Sequence, residues 1–215
     1  ILCCMRGDLN QKENLETLEL AKKYLVEDGG VVAIDLAGAE ALFPTENYEA
    51  LFAKAREYQV PFTIHAGEAG DAGDVRTAIH MGAARIGHGV RITGNEEVIQ
   101  LVKDTGVFLE MCPTSNRQTK AVEEMSAYPL KAFLEMGLKV TLNTDDPAIE
   151  RTTLSREFRY MESLLNLTQE QKRLLLLNSV EAAFTSRNRK CKLKEQLFSE
   201  PYENYGEPII YKRIK

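Results

Sequence analysis

Short runs of apolar residues recur along the chain, and each is followed by a segment in which apolar positions have helical spacing. The runs are Ile1–Arg6, Val31–Gly38, Pro61–Glu68, Ala84–Val90, Val107–Pro113 and Lys139–Asp145. Because most of these runs are continuously apolar rather than alternating, they predict strands that are covered on both faces, as in a parallel sheet. Repeating strand–helix units of roughly 30 residues therefore predict a parallel α/β fold.

After the sixth run the apolar pattern becomes entirely helical. Thr168 and Gln171 have the spacing of a capping box, which predicts that a helix begins there. No Pro-, Gly- or Ser-rich linker interrupts the chain, so we expect a single domain over residues 1–215. Its expected parts are six strand–helix units in 1–150, C-terminal helices in 151–198 and a polar tail in 199–215.

Two parallel architectures are compatible with this pattern, an open doubly wound sheet and a (β/α)8 barrel. A dinucleotide-binding sheet carries G-x-G-x-x-G after its first strand, and the glycine-rich segment Gly67–Gly73 has a different spacing. Six units are two short of a barrel, and 215 residues are fewer than the roughly 250 that a barrel typically has. Both shortfalls predict a piece of a (β/α)8 barrel that carries strands 3–8, with the first two units expected upstream of Ile1.

Composition excludes several classes of protein. The net charge of −5 gives phosphate backbones no net attraction, so we expect no nucleic-acid partner. No run approaches the roughly 20 apolar residues that cross a bilayer, so we expect no membrane partner. The four cysteines do not have the spacing of a disulfide framework, which favours a reducing compartment, and we expect a cytoplasmic location.

Acidic residues and histidines lie where the predicted strands end. In a parallel barrel all carboxyl ends of the strands open on one face, where active sites are built. Imidazole and carboxylate groups are common ligands of Zn²⁺, so this convergence predicts a metal-dependent site. The residues are Asp35, His65, Glu68, His88, Glu110, Asp145 and Asp146.

Several of these residues also have a purely structural explanation. A histidine in an apolar strand, as at position 65, is often a buried residue that is hydrogen-bonded to the backbone. An Asp-Asp-Pro sequence is common in turns and helix caps. Glu110 is explained equally well by a salt bridge, and Cys112 by core packing, since the Cys-liganded zinc deaminase signature is absent.

Five motifs, taken together and in order, resemble the adenosine deaminase family, in its bacterial form, from Ile1 to about Phe184. They are IDLAG at Ile34–Gly38, HAGE at His65–Glu68, RIGHG at Arg85–Gly89, CPTSN at Cys112–Asn116 and NTDDP at Asn143–Pro147. The resemblance implies a zinc-dependent (β/α)8 barrel. It also implies hydrolytic deamination of adenosine to inosine and ammonia, and of 2′-deoxyadenosine likewise, in purine salvage.

The same resemblance implies roles for individual residues. His65 and Asp145 correspond to zinc ligands, Glu68 to the proton donor to purine N1, and His88 to the residue that orients the attacking water. Bound zinc lowers the pKa of a coordinated water towards 7, and general acid catalysis typically contributes about 10²–10⁴-fold.

Three further positions correspond to substrate contacts in the family. The backbone N–H of Gly38 is expected to meet purine N3, Asp146 to hydrogen-bond N7, and Gly67 to lie close to the ring. Asp35 is a candidate for a supporting acid beside the metal ligands.

One departure from the family is serious. In the family, an H-x-H pair on the first strand supplies two more zinc ligands, and this sequence has no such pair. We expect both histidines upstream of Ile1, in a further barrel segment with which this chain would associate. We therefore expect the 215-residue chain alone to bind zinc poorly and to be inactive.

Other activities stay open, namely adenine or AMP deamination, an amidohydrolase acting on another ring, and non-catalytic purine binding. Adenine deaminases usually carry Asp at the position of Gly87, so glycine favours the nucleoside. No cationic group for the 5′-phosphate of AMP can be identified in the sequence.

Overall fold

The structure, a computed structural model, describes residues 1–199. Its strands are β1 (Leu2–Met5), β2 (Ile34–Ala37), β3 (Thr63–Ala66), β4 (Arg85–His88), β5 (Phe108–Met111) and β6 (Lys139–Leu142). Its α-helices are α1 (Gln11–Lys23), α2 (Glu49–Glu57), α3 (Ala72–Met81), α4 (Glu96–Thr105), α5 (Pro113–Gln118), α6 (Leu130–Glu135), α7 (Pro147–Glu150), α8 (Leu154–Leu165), α9 (Gln169–Ala182) and α10 (Arg187–Ser199). Apart from Ser199, the tail predicted over 199–215 lies outside the described residues.

All strand pairs are parallel, and neighbours in the sheet are also neighbours in the chain. β1 pairs with β2, and β3 to β6 pair in sequence order. A parallel bridge between Ile34 and Phe62 joins the two groups, with the Ile34 N–H donating to the Pro61 carbonyl over 3.0 Å. A doubly wound sheet reverses its strand order at a switch point, whereas a barrel keeps it, so this order favours the barrel.

The register of the strands separates two faces of the sheet. Ile64, Ile86, Leu109 and Val140 align in one row and have 0% exposure, and they face the layer of helices. The next row contains the polar residues His65, Glu110 and Thr141, together with Gly87. Because side chains alternate along a strand, the two rows lie on opposite faces.

The apolar row forms the core with the helices that flank it. Phe52 of α2, Phe133 of α6 and Met161 of α8 are almost fully buried in one contiguous cluster with the strands. The predicted capping box is present, since Thr168 and Gln171 each bond the other's backbone N–H at the start of α9.

The strands are shorter than the apolar runs that predict them. Each strand has four residues, and backbone with positive φ follows β3, β4 and β6 at Gly67, Gly89 and Asp145. Helix α1 ends at Lys23, and Leu25 beyond it forms a bridge with Val31. Cys3 is exposed, whereas Cys112 is buried. Within residues 1–199, no helix is long and apolar enough to cross a membrane.

Candidate metal and catalytic site

Three of the residues singled out from the sequence converge at the carboxyl ends of the strands. His65, His88 and Asp145 each offer a ligand atom, and these atoms all lie within 4.8 Å of one another. Glu68 joins them, with its Oε2 at 3.4 Å from Nε2 of His88. They come from β3, from β4 and from the segment after β6, and the parallel topology brings them to one edge.

His65 is held by a carboxylate on the neighbouring strand. Its Nδ1 lies 3.2 Å from Oδ1 and 3.1 Å from Oδ2 of Asp35. Burial lowers the pKa of His65, but the hydrogen bond and charge of Asp35, helped by Asp145 and Glu110, outweigh it and raise the pKa to about 9. A carboxylate only accepts, so Nδ1 keeps its proton, and Nε2 is the nitrogen that can bind a metal ion after giving up its own proton. This is the arrangement in which histidine commonly binds a metal ion.

His88 reaches the site through a local departure from strand geometry. It lies two residues after the core residue Ile86, so regular alternation would point its side chain towards the helices. Its φ of 62° lies in the left-handed region, and its ring instead meets Glu68 and Asp145. The ring is 1% exposed, and this burial lowers the pKa of His88. Such backbone costs about 1–3 kcal/mol and is concentrated at functional sites.

A buried amide fixes the proton on His88. The Nδ2 of Asn116 lies 3.3 Å from Oε1 of Glu68 and 3.0 Å from Nδ1 of His88, while the Tyr128 hydroxyl donates to Oδ1 over 2.9 Å. Because Glu68 and Nδ1 both receive N–H groups of this amide, Nδ1 is the unprotonated nitrogen. The proton of neutral His88 is therefore on Nε2, facing Glu68 and Asp145.

Asp145 is the second site residue with left-handed backbone, at φ 59°. The Ser115 hydroxyl donates to its Oδ2 over 2.7 Å, and the same oxygen lies 3.8 Å from Nε2 of His88. Asp146 follows as the residue before α7, exposed, and within residues 1–199 its carboxylate has no hydrogen-bond partner. The two adjacent acids therefore have different surroundings.

Glu110 is explained by a salt bridge. Its carboxylate lies 3.0 Å from Nε of Arg85 and accepts the Thr63 hydroxyl over 2.6 Å. Glu110 shares the polar row with His65, but its carboxylate is occupied by these two partners. Of the two explanations for this residue, a role at the site or a salt bridge, the structure favours the salt bridge.

The expected substrate contacts lie at the same edge of the sheet. Gly38 directly follows β2, with φ 111°, and Gly67 follows β3, with φ 71°. A Cβ at position 67 would come within 2.6 Å of the Val75 side chain, so both the backbone and the available space require glycine there. The roles of Gly38, Gly67 and Asp146 remain predictions.

Sequence reasoning did not single out several residues that support the site. Ser115 and Asn116 belong to the CPTSN motif, and their polar types within it were the available signal. Glu157 is 1% exposed and accepts the backbone N–H and the hydroxyl of Thr114, at 3.1 and 2.5 Å. It thereby ties α8 to the start of α5.

Comparisons with known proteins agree with this fold. The structure is similar to an adenine deaminase from Arthrobacter aurescens, with a TM-score of 0.83 and 29% identity over 91% of this chain and 59% of that one. The N6-methyl-AMP deaminase of Arabidopsis thaliana gives a TM-score of 0.83 at 24% identity over 94% and 58% of the two chains. An amidohydrolase of Burkholderia ambifaria, solved with bound zinc, gives 0.77 at 22% over 92% and 58%. The chain therefore has the parallel α/β fold of the amidohydrolase and deaminase barrels and forms part of such a barrel, as predicted.

Sequence comparisons give the family. The family model for adenosine deaminase matches residues 1–200. The adenosine deaminase of Haemophilus ducreyi is 48% identical over 187 residues, and that of Enterococcus faecalis 39% over 203, covering 86% and 94% of this chain. The chain belongs to the adenosine deaminase family, a family of hydrolases, which confirms the resemblance. It spans 54% and 59% of the lengths of these two relatives.

Proposed function

We propose that the protein containing this chain hydrolyses adenosine, and 2′-deoxyadenosine likewise, to inosine or 2′-deoxyinosine and ammonia, with one zinc ion per site, in purine salvage. The observation that carries the proposal is the convergence of His65, Glu68, His88 and Asp145 on one edge of a sheet from the adenosine deaminase family. The similar amidohydrolase with bound zinc supports the choice of metal.

The donor groups suit zinc. Nε2 of His65 is free because Asp35 holds Nδ1, and the Asp145 carboxylate is partly exposed and oriented by Ser115. His88 is placed differently, because Asn116 directs a donor at its Nδ1 and leaves the proton on Nε2. His65 and Asp145 would therefore hold the metal, and His88 would act beside it. Held by these residues, zinc would supply a water of lowered pKa for the attack.

The residues of this chain account for the proton transfers. Oε1 of Glu68 receives hydrogen bonds from Thr119 over 3.0 Å and Asn116 over 3.3 Å, which leaves Oε2 as the oxygen that carries a proton. Protonated there, Glu68 donates to purine N1 as the water oxygen adds to C6. Of the two protons that the water gives up, one restores Glu68 and the other converts the amino group to ammonia, which leaves as the C6–N bond breaks. The Nε2–H of His88 orients the attacking water, since it is buried against Glu68 and Asp145. We propose Gly38, Gly67 and Asp146 as contacts to the purine.

The nucleoside is favoured over the free base by the glycine at position 87, where adenine deaminases usually carry Asp. A Cβ at this position would come within 3.0–3.1 Å of the His65 side chain and backbone, so a larger residue would crowd the metal ligand. Adenine and N6-methyl-AMP, the substrates named for the two similar deaminases, are the competing substrates that the test must include.

The test measures turnover of adenosine, 2′-deoxyadenosine, adenine, AMP and N6-methyl-AMP by the chain joined to the upstream segment expected above. We expect adenosine to give the highest kcat/KM, and adenine as the best substrate would refute the choice of nucleoside. Asp146→Ala should weaken adenosine binding, and unchanged binding would favour an amidohydrolase acting on another ring.

The isolated chain is a second test. We propose that residues 1–215 alone bind zinc weakly and are inactive, because a catalytic zinc site usually has about three protein ligands and this chain offers two. The missing ligands are expected on the upstream barrel segment, which we propose as the chain's partner. Metal analysis that finds one tightly held zinc per isolated chain would contradict this. All four cysteines are free thiols, which supports a proposed location in the reducing cytoplasm.

A further inference from the structure

The loop that carries two of the candidate site residues is held by a pair of buried, oppositely charged side chains. This loop, residues 65–69, comprises the end of β3 and the start of the connection to α3, and it contains both His65 and Glu68. Glu40, after β2, and Arg6, after β1, bond its backbone. Glu40 is 4% exposed and Arg6 5%, and both bond backbone groups rather than the side chains of His65, His88 or Asp145.

Glu40 binds three consecutive backbone N–H groups. Its Oε1 accepts from Gly67 over 2.5 Å, and its Oε2 accepts from Glu68 over 3.0 Å and from Ala69 over 2.8 Å. The left-handed backbone of Gly67, at φ 71°, turns these N–H groups towards one point. Successive N–H groups in such a turn form a concave anion-binding site, and a carboxylate of the chain itself fills this one.

Arg6 binds the same loop at its other backbone group. Its Nη2 donates to the carbonyl of His65 over 2.6 Å and to the Thr45 hydroxyl over 3.1 Å, and its Nη1 donates to the Phe43 carbonyl over 2.5 Å. The positive charge of Arg6 lies close enough to Glu40 for the two to interact electrostatically. The loop is therefore bonded at one carbonyl by a cation and at three N–H groups by an anion.

We propose that Glu40 is a positioning residue for the reaction, which with Arg6 fixes the backbone of Glu68 so that its carboxyl group lies in line with the purine. This rests on the proposed role of Glu68 as the proton donor. Glu40 itself does not touch the substrate, because both of its oxygens are occupied by the loop. Its effect is on geometry, since a displacement of about 1 Å at a catalytic group can cost about 100-fold in rate.

The glutamine variant isolates this effect. Glu40→Gln has nearly the same shape, but it replaces one accepting oxygen by an NH2 group that opposes the backbone N–H groups. At least one of the three hydrogen bonds is lost, and the loop must shift. Glu46→Gln is the matched control, because Glu46 lies in the same connection and lines the same cavity of about 540 Å³ but is exposed. It removes an identical charge without touching the loop.

The experiment compares wild type, Glu40→Gln and Glu46→Gln in the zinc-loaded protein that joins this chain to its upstream segment. It measures kcat and KM for adenosine, zinc content, and hydrogen exchange of the amides of residues 67–69. For Glu40→Gln we expect kcat to fall about 10–100-fold, KM to change less than about 3-fold, and zinc content to stay the same. Exchange of the three amides should rise at least about 10-fold, while Glu46→Gln behaves as wild type.

Three results would overturn the proposal. The first is a kcat for Glu40→Gln within about 2-fold of wild type, and the second is unchanged amide exchange. The third is loss of zinc in parallel with activity, which would make Glu40 a support of the metal alone. If Glu40→Gln does not fold, Arg6→Lys tests the same loop from its carbonyl side with the same expected loss of kcat, and normal kcat there also overturns the proposal. An inactive wild-type protein is a separate outcome, because it refutes the proposed function itself. An active wild-type protein with an equally active Glu40→Gln variant refutes only the role of Glu40.

Discussion

The amide of Asn116 offers the sharpest test of the hydrogen-bond network at the site. Asn116 is fully buried and joins three side chains, the Tyr128 hydroxyl, Nδ1 of His88 and the carboxylate of Glu68. In Asn116→Ala, the Tyr128 proton loses its acceptor and His88 its donor, and both groups stay buried. Each unpaired buried group costs about 1–3 kcal/mol, so we expect the free energy of unfolding to fall by about 2–6 kcal/mol.

A double-mutant cycle separates the network from simple loss of packing. Tyr128→Phe alone leaves Oδ1 of Asn116 unpaired and should cost about 1–3 kcal/mol. In the double variant neither the hydroxyl nor its acceptor is present, so the total loss should be about 1–2 kcal/mol smaller than the sum of the two single losses. Urea unfolding followed by circular dichroism gives the free energies, with exposed Asn47→Ala as a control that changes stability by less than about 0.5 kcal/mol.

Two outcomes would refute this reasoning. A loss below about 1 kcal/mol in Asn116→Ala would mean that its partners find water or each other. Strict additivity in the cycle would mean that Tyr128 and Asn116 are energetically independent despite the 2.9 Å contact. Either result would also remove the argument that places the proton of His88 on Nε2.

Three further predictions concern the remainder of the chain. Glu157→Ala should lower the free energy of unfolding by about 1–3 kcal/mol or more, because the buried N–H of Thr114 and the hydroxyls of Thr114 and Thr152 lose their acceptor, and an unchanged urea midpoint would contradict this. Thr168→Ala should cost about 0.5–2 kcal/mol through loss of the α9 cap, whereas Thr168→Ser should cost much less. Cys3 should react slowly with iodoacetamide at pH 8 although it is exposed, because burial of its sulfur and the charge of Asp35 raise its pKa from 9.0 to about 11. The higher pKa lowers its thiolate fraction about 100-fold, so mass spectrometry should find Cys191 modified first, and faster labelling of Cys3 would contradict the shift.

The sequence was sufficient to predict which strands carry the site. His65, His88 and Asp145 each stand at the end of an apolar run, and parallel strands place all their carboxyl ends at one edge. Their convergence therefore follows from strand order alone, without knowledge of any side-chain contact. The same argument could not decide the fate of Glu110, because its salt bridge depends on the register between β4 and β5.

The supporting residues could not be predicted in the same way. Asn116 lies 28 residues from His88 and 48 from Glu68, and its contacts depend on how α5 crosses the end of the sheet. Glu40 looks like an ordinary loop acid in the sequence, and only the turn at Gly67 shows that three N–H groups meet its carboxylate. Hydrogen bonds of this kind are set by the path of the backbone, which periodicity does not encode.

The left-handed backbone at His88 and Asp145 has a consequence for engineering. Glycine adopts this conformation without strain, so Asp145→Gly relieves backbone strain and also removes one carboxylate from a group of neighbouring acids. A variant library that is sorted only for heat resistance should therefore enrich changes at position 145 that remove the chemistry. Stability and the proposed activity are opposed at this position, and thermostabilised variants of the protein need to be selected with an assay for that proposed activity in parallel.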